Sequence, residues 1–202
     1  MRMALLLLLL FTTSVVHGQH RRLRGPVWTF HEKNVNIYGV SVGLISRLWS
    51  GNTYTNGIKL ELIGLGLAVP LIPRSPIAEN DSAFRELQQE AVSEQINGVS
   101  LAASGTVCND CVINGASVGF MGQIVRKVNG VSATFFMNFS QIHNGIQLAF
   151  VNQAYRMRGL QIGLFNGSSD TRGIQIGVWN ANERRRMPVV NWNFKKNVLK
   201  KP

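Results

Sequence analysis

Acidic residues are scarce in this chain: ten Asp+Glu stand against 21 Lys+Arg, a formal net charge of +11. Asp110, Asp170 and Glu183 are scattered, without the paired spacing that glycosidase or calcium chemistry requires. Cysteine is rarer still, with only Cys108 and Cys111, which excludes a disulfide-dense miniature fold. A zinc site would need two further ligands beside this pair, and His20, His31 and His143 do not offer the close spacing. No apolar run of membrane-spanning length follows the N-terminal region, so no transmembrane helix is expected there. Aromatics make up 8% of the chain and do not interleave with its basic clusters. That pattern, with export, argues against nucleic acid as a partner.

Export is read from the first residues. Met1 and Arg2 precede an apolar run, Ala4 to Phe11, with six consecutive leucines, and small residues lead to Gly18. This is the pattern of a secretory signal over residues 1–18, leaving Gln19 as the mature N-terminus. A basic segment, 19–36, follows with Arg21, Arg22 and Arg24. A second basic cluster, Arg184 to Arg186, precedes a tail over 195–202 that carries Lys195, Lys196, Lys200 and Lys201. Charge of this kind keeps a repeat protein soluble and draws it to anionic surfaces.

Internal repetition is the strongest signal. Gly39, Gly57, Gly98, Gly115, Gly130, Gly145, Gly159 and Gly173 open similar segments, from YGVSVGLIS to RGIQIGVWN. Between them runs a second series, Asn138, Asn152, Asn166 and Asn180, each 14 residues from the next. Within each unit apolar residues alternate with small or polar ones, the period of a strand. Leu160, Ile162 and Leu164 fall on one face, Gln161 and Gly163 on the other. Asn and Gly mark the turns because both tolerate left-handed backbone angles.

Two all-β architectures fit residues 37–194. One is a β-solenoid of stacked 14–15-residue coils, with the asparagines in a ladder and Leu/Ile as a continuous core. The other is a small antiparallel barrel of the outer-membrane type, with each unit one strand and its turn. The in-phase Asn and Gly series favours the solenoid, because a meander sends successive equivalent residues to opposite ends. In the solenoid, Gln147, Gln161 and Gln175 are expected to face outward with Phe165 and Trp179, as a flat binding platform.

Residues 70–95 interrupt the repeat. Pro70, Pro73 and Pro76 give an extended stretch, and DSAFRELQQEAVSEQ reads as one helix capped by Asp81 or Ser82. Its stripe of Phe84, Leu87, Ala91 and Val92 is expected to pack on the stack. After Arg186, MPVVNWNF reads as a strand that caps the last repeat.

The run RGLQIGLFN…RGIQIGVWN, followed by PVVNWNF, resembles bacterial surface-repeat proteins built from G-[LIV]-Q-[LI]-G-x-x-N units. The resemblance is strong over 145–194 and weaker over 37–144. It implies a Gram-negative periplasm, outer membrane or cell surface, and it carries no catalytic or ligand residues.

Candidate chemistry is thin. Ser41 and Ser117 sit in G-x-S-x-G segments, the pattern of a hydrolase elbow, yet both occupy the mid-strand position held by Gln161 in a sister repeat. Cys108 and Cys111 are expected to form a small disulfide tying off the longest regular repeat, Gly98 to Gly115. The sequence therefore predicts a non-catalytic, cofactor-free envelope protein with a structural, adhesive or ligand-binding role. Surface polysaccharide, anionic lipid or another envelope protein are its candidate partners.

Overall fold

Alternating segments of constant length can stack in register, and in the computed structural model they form a β-solenoid of about ten turns. Residues 21–46 and 51–195 are described; the expected signal over 1–18, the Gln19 start and tail residues 196–202 lie outside them. The strands are β1 (Arg22–Arg24), β2 (Val27–Thr29), β3 (Val35–Gly43), β4 (Thr53–Glu61), β5 (Glu94–Ala102) and β6 (Val107–Gly119). They continue as β7 (Gly122–Thr134), β8 (Met137–Leu148), β9 (Val151–Ile162), β10 (Phe165–Ala181) and β11 (Arg186–Asn193). From β3 to β10 each pairs in parallel with the next, and β11 closes the far end antiparallel to β10. The barrel alternative is not realised, because the neighbours run parallel and the sheet order ends at β1 and β11. Strand structure also begins before residue 37, in the basic N-terminal segment.

The eight repeat glycines stand in one line across the stack. Gly145 shows why. Its φ is +133°, and a Cβ there would lie 2.0 Å from the Gly130 carbonyl oxygen of the coil below. The backbone angle and the close approach each exclude a side chain. Beside this corner the amides of Asn97, Asn114, Asn129 and Asn144 form a ladder, each donating to the coil before it at 2.7–2.8 Å.

The other corner is closed from inside by the second asparagine series. Asn166 accepts from Asn152 at 2.9 Å and donates to Asn180 at 2.7 Å, and it also donates to the Ile176 carbonyl. Asn138 stands in register with Asn152, but its amide nitrogen turns to Ser132. Removing the Asn166 amide unpairs buried groups on both sides, so Asn166→Ala should lower stability by about 1–3 kcal/mol. The exposed Gln89 serves as the comparison, and Gln89→Ala should stay within about 0.5 kcal/mol in denaturant melts.

Side-chain orientation in the arm after each glycine is the reverse of the expected one. Gln147, Gln161 and Gln175 are fully buried, and Ile146, Ile162, Leu164, Ile174 and Ile176 are exposed. Gln161 donates to Gln147 and Gln175 donates to Gln161, each at 2.8 Å, with Asn191 donating to Gln175 at 3.2 Å. Burying a polar group is costly only when it loses its partners. A stack of identical amides gives each one an acceptor below and a donor above. The aliphatic interior lies in the arm before each glycine, where Ile96, Ile113, Val128 and Met157 are buried in one column with His143.

The insert begins earlier than expected and its helix is shorter. A 3-10 helix spans Gly66–Leu71, and α1 covers Asp81–Gln89. Asn80, not Asp81 or Ser82, is the cap, accepting from the Ala83 N–H at 2.9 Å. Glu94 to Gln95 belong to β5 because their backbone pairs with Thr53 and Tyr54, which overrides their helical propensity. Phe84 is buried and Leu87 half-buried, while Ala91 and Val92 lie beyond the helix. The insert covers the outside of the arm before the glycine in β6 to β9: Val69, Ile77 and Phe84 pack on Ile124, Phe139 and Tyr155. The Phe84 and Tyr155 rings stack with centroids 4.3 Å apart, and Arg126 donates to the Glu90 carbonyl at 2.6 Å.

Candidate functional site

The residues with the most reactive side chains are enclosed. Cys108 and Cys111 form a disulfide with a Cα separation of 5.4 Å, and neither is exposed. Its position has a geometric reason. From Cys108 to Val112 is four residues, yet the paired residues of β7, Val125 to Lys127, are two apart. The two extra residues make this the 17-residue repeat, and the disulfide ties the bulge. Glu94 lies within 4.8 Å of both sulfurs, but paired sulfurs provide no thiolate for a metal or for exchange. Ser41 and Ser117 are buried, the first accepting from Thr55 at 3.0 Å, the second donating to Gln123 at 2.8 Å.

A charged group unseen in the sequence reading lies beside the disulfide. Lys59 and Glu94 are both fully buried, with Nζ 2.6 Å from Oε2. The ammonium also lies 2.5 Å from Ser46 Oγ and 4.3 Å from the centroid of the Phe30 ring. Glu61, likewise buried, accepts from the Ser46 backbone N–H and from Thr106. Burial raises the Glu94 carboxyl above its ordinary range, and Lys59 opposes that shift. The signal available was Lys59 itself, at a repeat position held elsewhere by Ser or Gln; its partner lies across the insert.

What reaches solvent is the outside of the arm after each glycine. Three rows cross the coils there. One runs Ile58, Val99, Ala116, Val131, Ile146, Leu160, Ile174, and the next Leu60, Leu101, Val118, Ala133, Leu148, Ile162, Ile176. The third follows two residues later: Leu62, Ala103, Phe120, Phe135, Phe150, Leu164, Val178. Every position is apolar. Val40 and Val42 extend the first two rows in β3, and Trp192 and Val190 extend them in β11. At about 4.8 Å per coil and 3.3 Å per residue, the wall is about 40 Å long and 15 Å wide. Its area, on the order of 600 Å², is at the upper end for the largest apolar patch of a soluble monomer.

The relief of this wall follows its side chains. Ala103 leaves a shallow depression of about 460 Å³ near Leu62, Leu101, Val118 and Phe120. Phe120, Phe135 and Phe150 form a ridge along one edge, with successive centroids 5.6 and 4.6 Å apart. Phe165 and Trp179 are exposed beyond the corner, beside a small groove with Gln153 and Gly167. They do not share a surface with Gln147, Gln161 and Gln175, which the structure encloses. The parity is the same, but the corner between Ile162 and Phe165 turns the chain, so alternation does not carry across it.

No protein-family model, curated protein or solved structure matches this chain.

Proposed function

We propose that this is an exported, non-catalytic envelope protein that works by docking its apolar wall against a partner surface. The observation that carries this reading is the asymmetry of cover. The insert folds over the outside of one arm across β6 to β9 and buries Phe139 and Tyr155, while among the described residues nothing folds over the outside of the other arm. Covering on the order of 600 Å² at about 25 cal/mol per Å² yields roughly 15 kcal/mol before association costs of about 4–15 kcal/mol. A non-catalytic role is supported by the enclosure of Ser41, Ser117 and the disulfide. Export and an envelope setting are supported by the leucine run near the N-terminus and by the resemblance of 145–194 to surface-repeat proteins.

Thiol labelling tests the docking. Val131→Cys on the wall and Glu86→Cys on α1 are labelled in purified protein and in the envelope of the producing cell. In the envelope, labelling at position 131 should slow by about tenfold or more while position 86 is unchanged. Equal rates at position 131 in both preparations would contradict the proposal.

A further inference from the structure

We infer that the occupant of the wall is the surface of an anionic lipid bilayer, on which the solenoid lies with its bare arm down. This rests on reading the wall as a docking surface and adds what it docks to.

Three observations distinguish lipid from a protein partner. First, the wall rows contain no polar side chain, and within the stack their backbone groups are paired from coil to coil. A protein interface of this size would present several hydrogen-bonding groups. Hydrocarbon requires that none be offered.

Second, each end of the stack carries an arginine over a tryptophan: Arg24 lies 4.6 Å from the Trp28 ring centroid, and Arg185 lies 4.3 Å from that of Trp192. Trp192 belongs to the wall itself, extending the row of Ile174. An aromatic body with a cationic head fits the boundary between acyl chains and headgroups. Arg184, Arg186 and Lys195, all exposed, surround the second of these ends.

Third, charge is distributed to match. Glu79, Asp81, Glu86 and Glu90 lie on the insert, which covers the opposite side of the coil. Glu32 and Asp170 are neutralised by Arg22 and Arg24 and by Arg156 and Arg158. With a net charge of +11, two copies facing each other would repel, whereas anionic headgroups attract.

The test uses vesicles of phosphatidylcholine and phosphatidylglycerol in a two-to-one ratio, with phosphatidylcholine alone as comparison. Any chain that keeps Leu5 to Leu10 can partition into lipid through them, so the readout is an environment-sensitive fluorophore on Ile146→Cys, with Glu86→Cys as reference. With anionic vesicles, the fluorophore at 146 should shift to the blue and be quenched by lipids spin-labelled on the acyl chain; at 86 neither should occur. Adding Ile162→Asp to the Ile146→Cys protein should weaken the anionic-vesicle response by about tenfold or more, since one buried aliphatic side chain is worth that factor. Replacing Arg184, Arg185 and Arg186 by Gln should weaken it further at low salt than at high salt.

An unchanged spectrum at position 146 with anionic vesicles, from protein that is folded by circular dichroism, would overturn the lipid assignment. A concentration-dependent dimer that protects position 146 without lipid would also overturn it and place a second copy on the wall, leaving the docking reading intact. Failure of the docking reading has its own mark, which is free labelling of position 131 in the envelope.

Discussion

Lys59→Ala should destabilise the fold by about 3–5 kcal/mol, the usual result of stranding one partner of a buried ion pair. Lys59 and Glu94 have no exposure, and the ammonium is held by Glu94, Ser46 and the Phe30 ring. Without Lys59, burial and the nearby Glu61 and Asp110 act on Glu94 unopposed, and its carboxyl rises further. A carboxyl raised in the folded state stabilises below its unfolded value, and that contribution is lost as pH rises through the folded value. Lys59→Met should therefore be penalised more at pH 8 than at pH 5. The double variant Lys59→Met, Glu94→Leu removes both charges and should recover most of the loss, giving a coupling of several kcal/mol in a double-mutant cycle. Additive losses would show that the pair contributes no mutual stabilisation.

The second large effect is on acid stability. His143 is fully buried between Val128 and Met157 in the inward column, and desolvation lowers its pKa to about 4, with a backbone contact at Ile146 acting weakly in the opposite direction. The unfolded chain binds this proton near 6.5, so the stability from neutral His143 is complete above that pH. It is lost as pH falls toward 4, at about 1.4 kcal/mol per unit, roughly 3 kcal/mol in all. His143→Leu suits its apolar neighbours and removes the proton. It should change stability by less than about 1.5 kcal/mol at pH 7. At pH 4.5 it should exceed the wild type by about 2–3 kcal/mol. Parallel acid limbs for the two proteins in thermal melts would exclude His143 as the source.

Much of this architecture was legible because stacking imposes a period on the chain. The glycine line is written in the spacing of Gly130, Gly145 and Gly159, and the closing strand in the alternation of PVVNWNF. What alternation cannot say is which face is inside. Hydrophobicity points Leu160 and Ile162 inward, and the coil does the opposite. A usable clue was present. Gln147, Gln161 and Gln175 are the same residue at a constant interval, while the flanking positions switch between Ile and Leu. Ladders of hydrogen-bonded side chains need identical neighbours; an apolar outer wall needs only the class.

The parts that could not be read depend on contacts between distant segments. Glu94 reads as helical in EAVSEQ, and only its pairing with Thr53 and its contact with Lys59, 35 residues earlier, place it in a strand. Parity counted through a corner that local sequence does not mark puts Phe165 on one platform with Gln161. The wall is hidden for the same reason as the glutamine ladder: one inversion of inside and outside conceals both.

Cysteine reactivity at two adjacent residues tests that inversion most directly. Ile162→Cys and Gln161→Cys differ by one position in β9, and each protein is first shown to be folded by circular dichroism. With the amides inside and the aliphatic wall outside, the thiol at 162 should react with a small maleimide nearly as fast as a free thiol. The thiol at 161 should be slower by about a hundredfold or more, reacting only through opening of the stack. Fast reaction at 161 with protection at 162 would contradict the account, restoring an aliphatic core with glutamines on the surface.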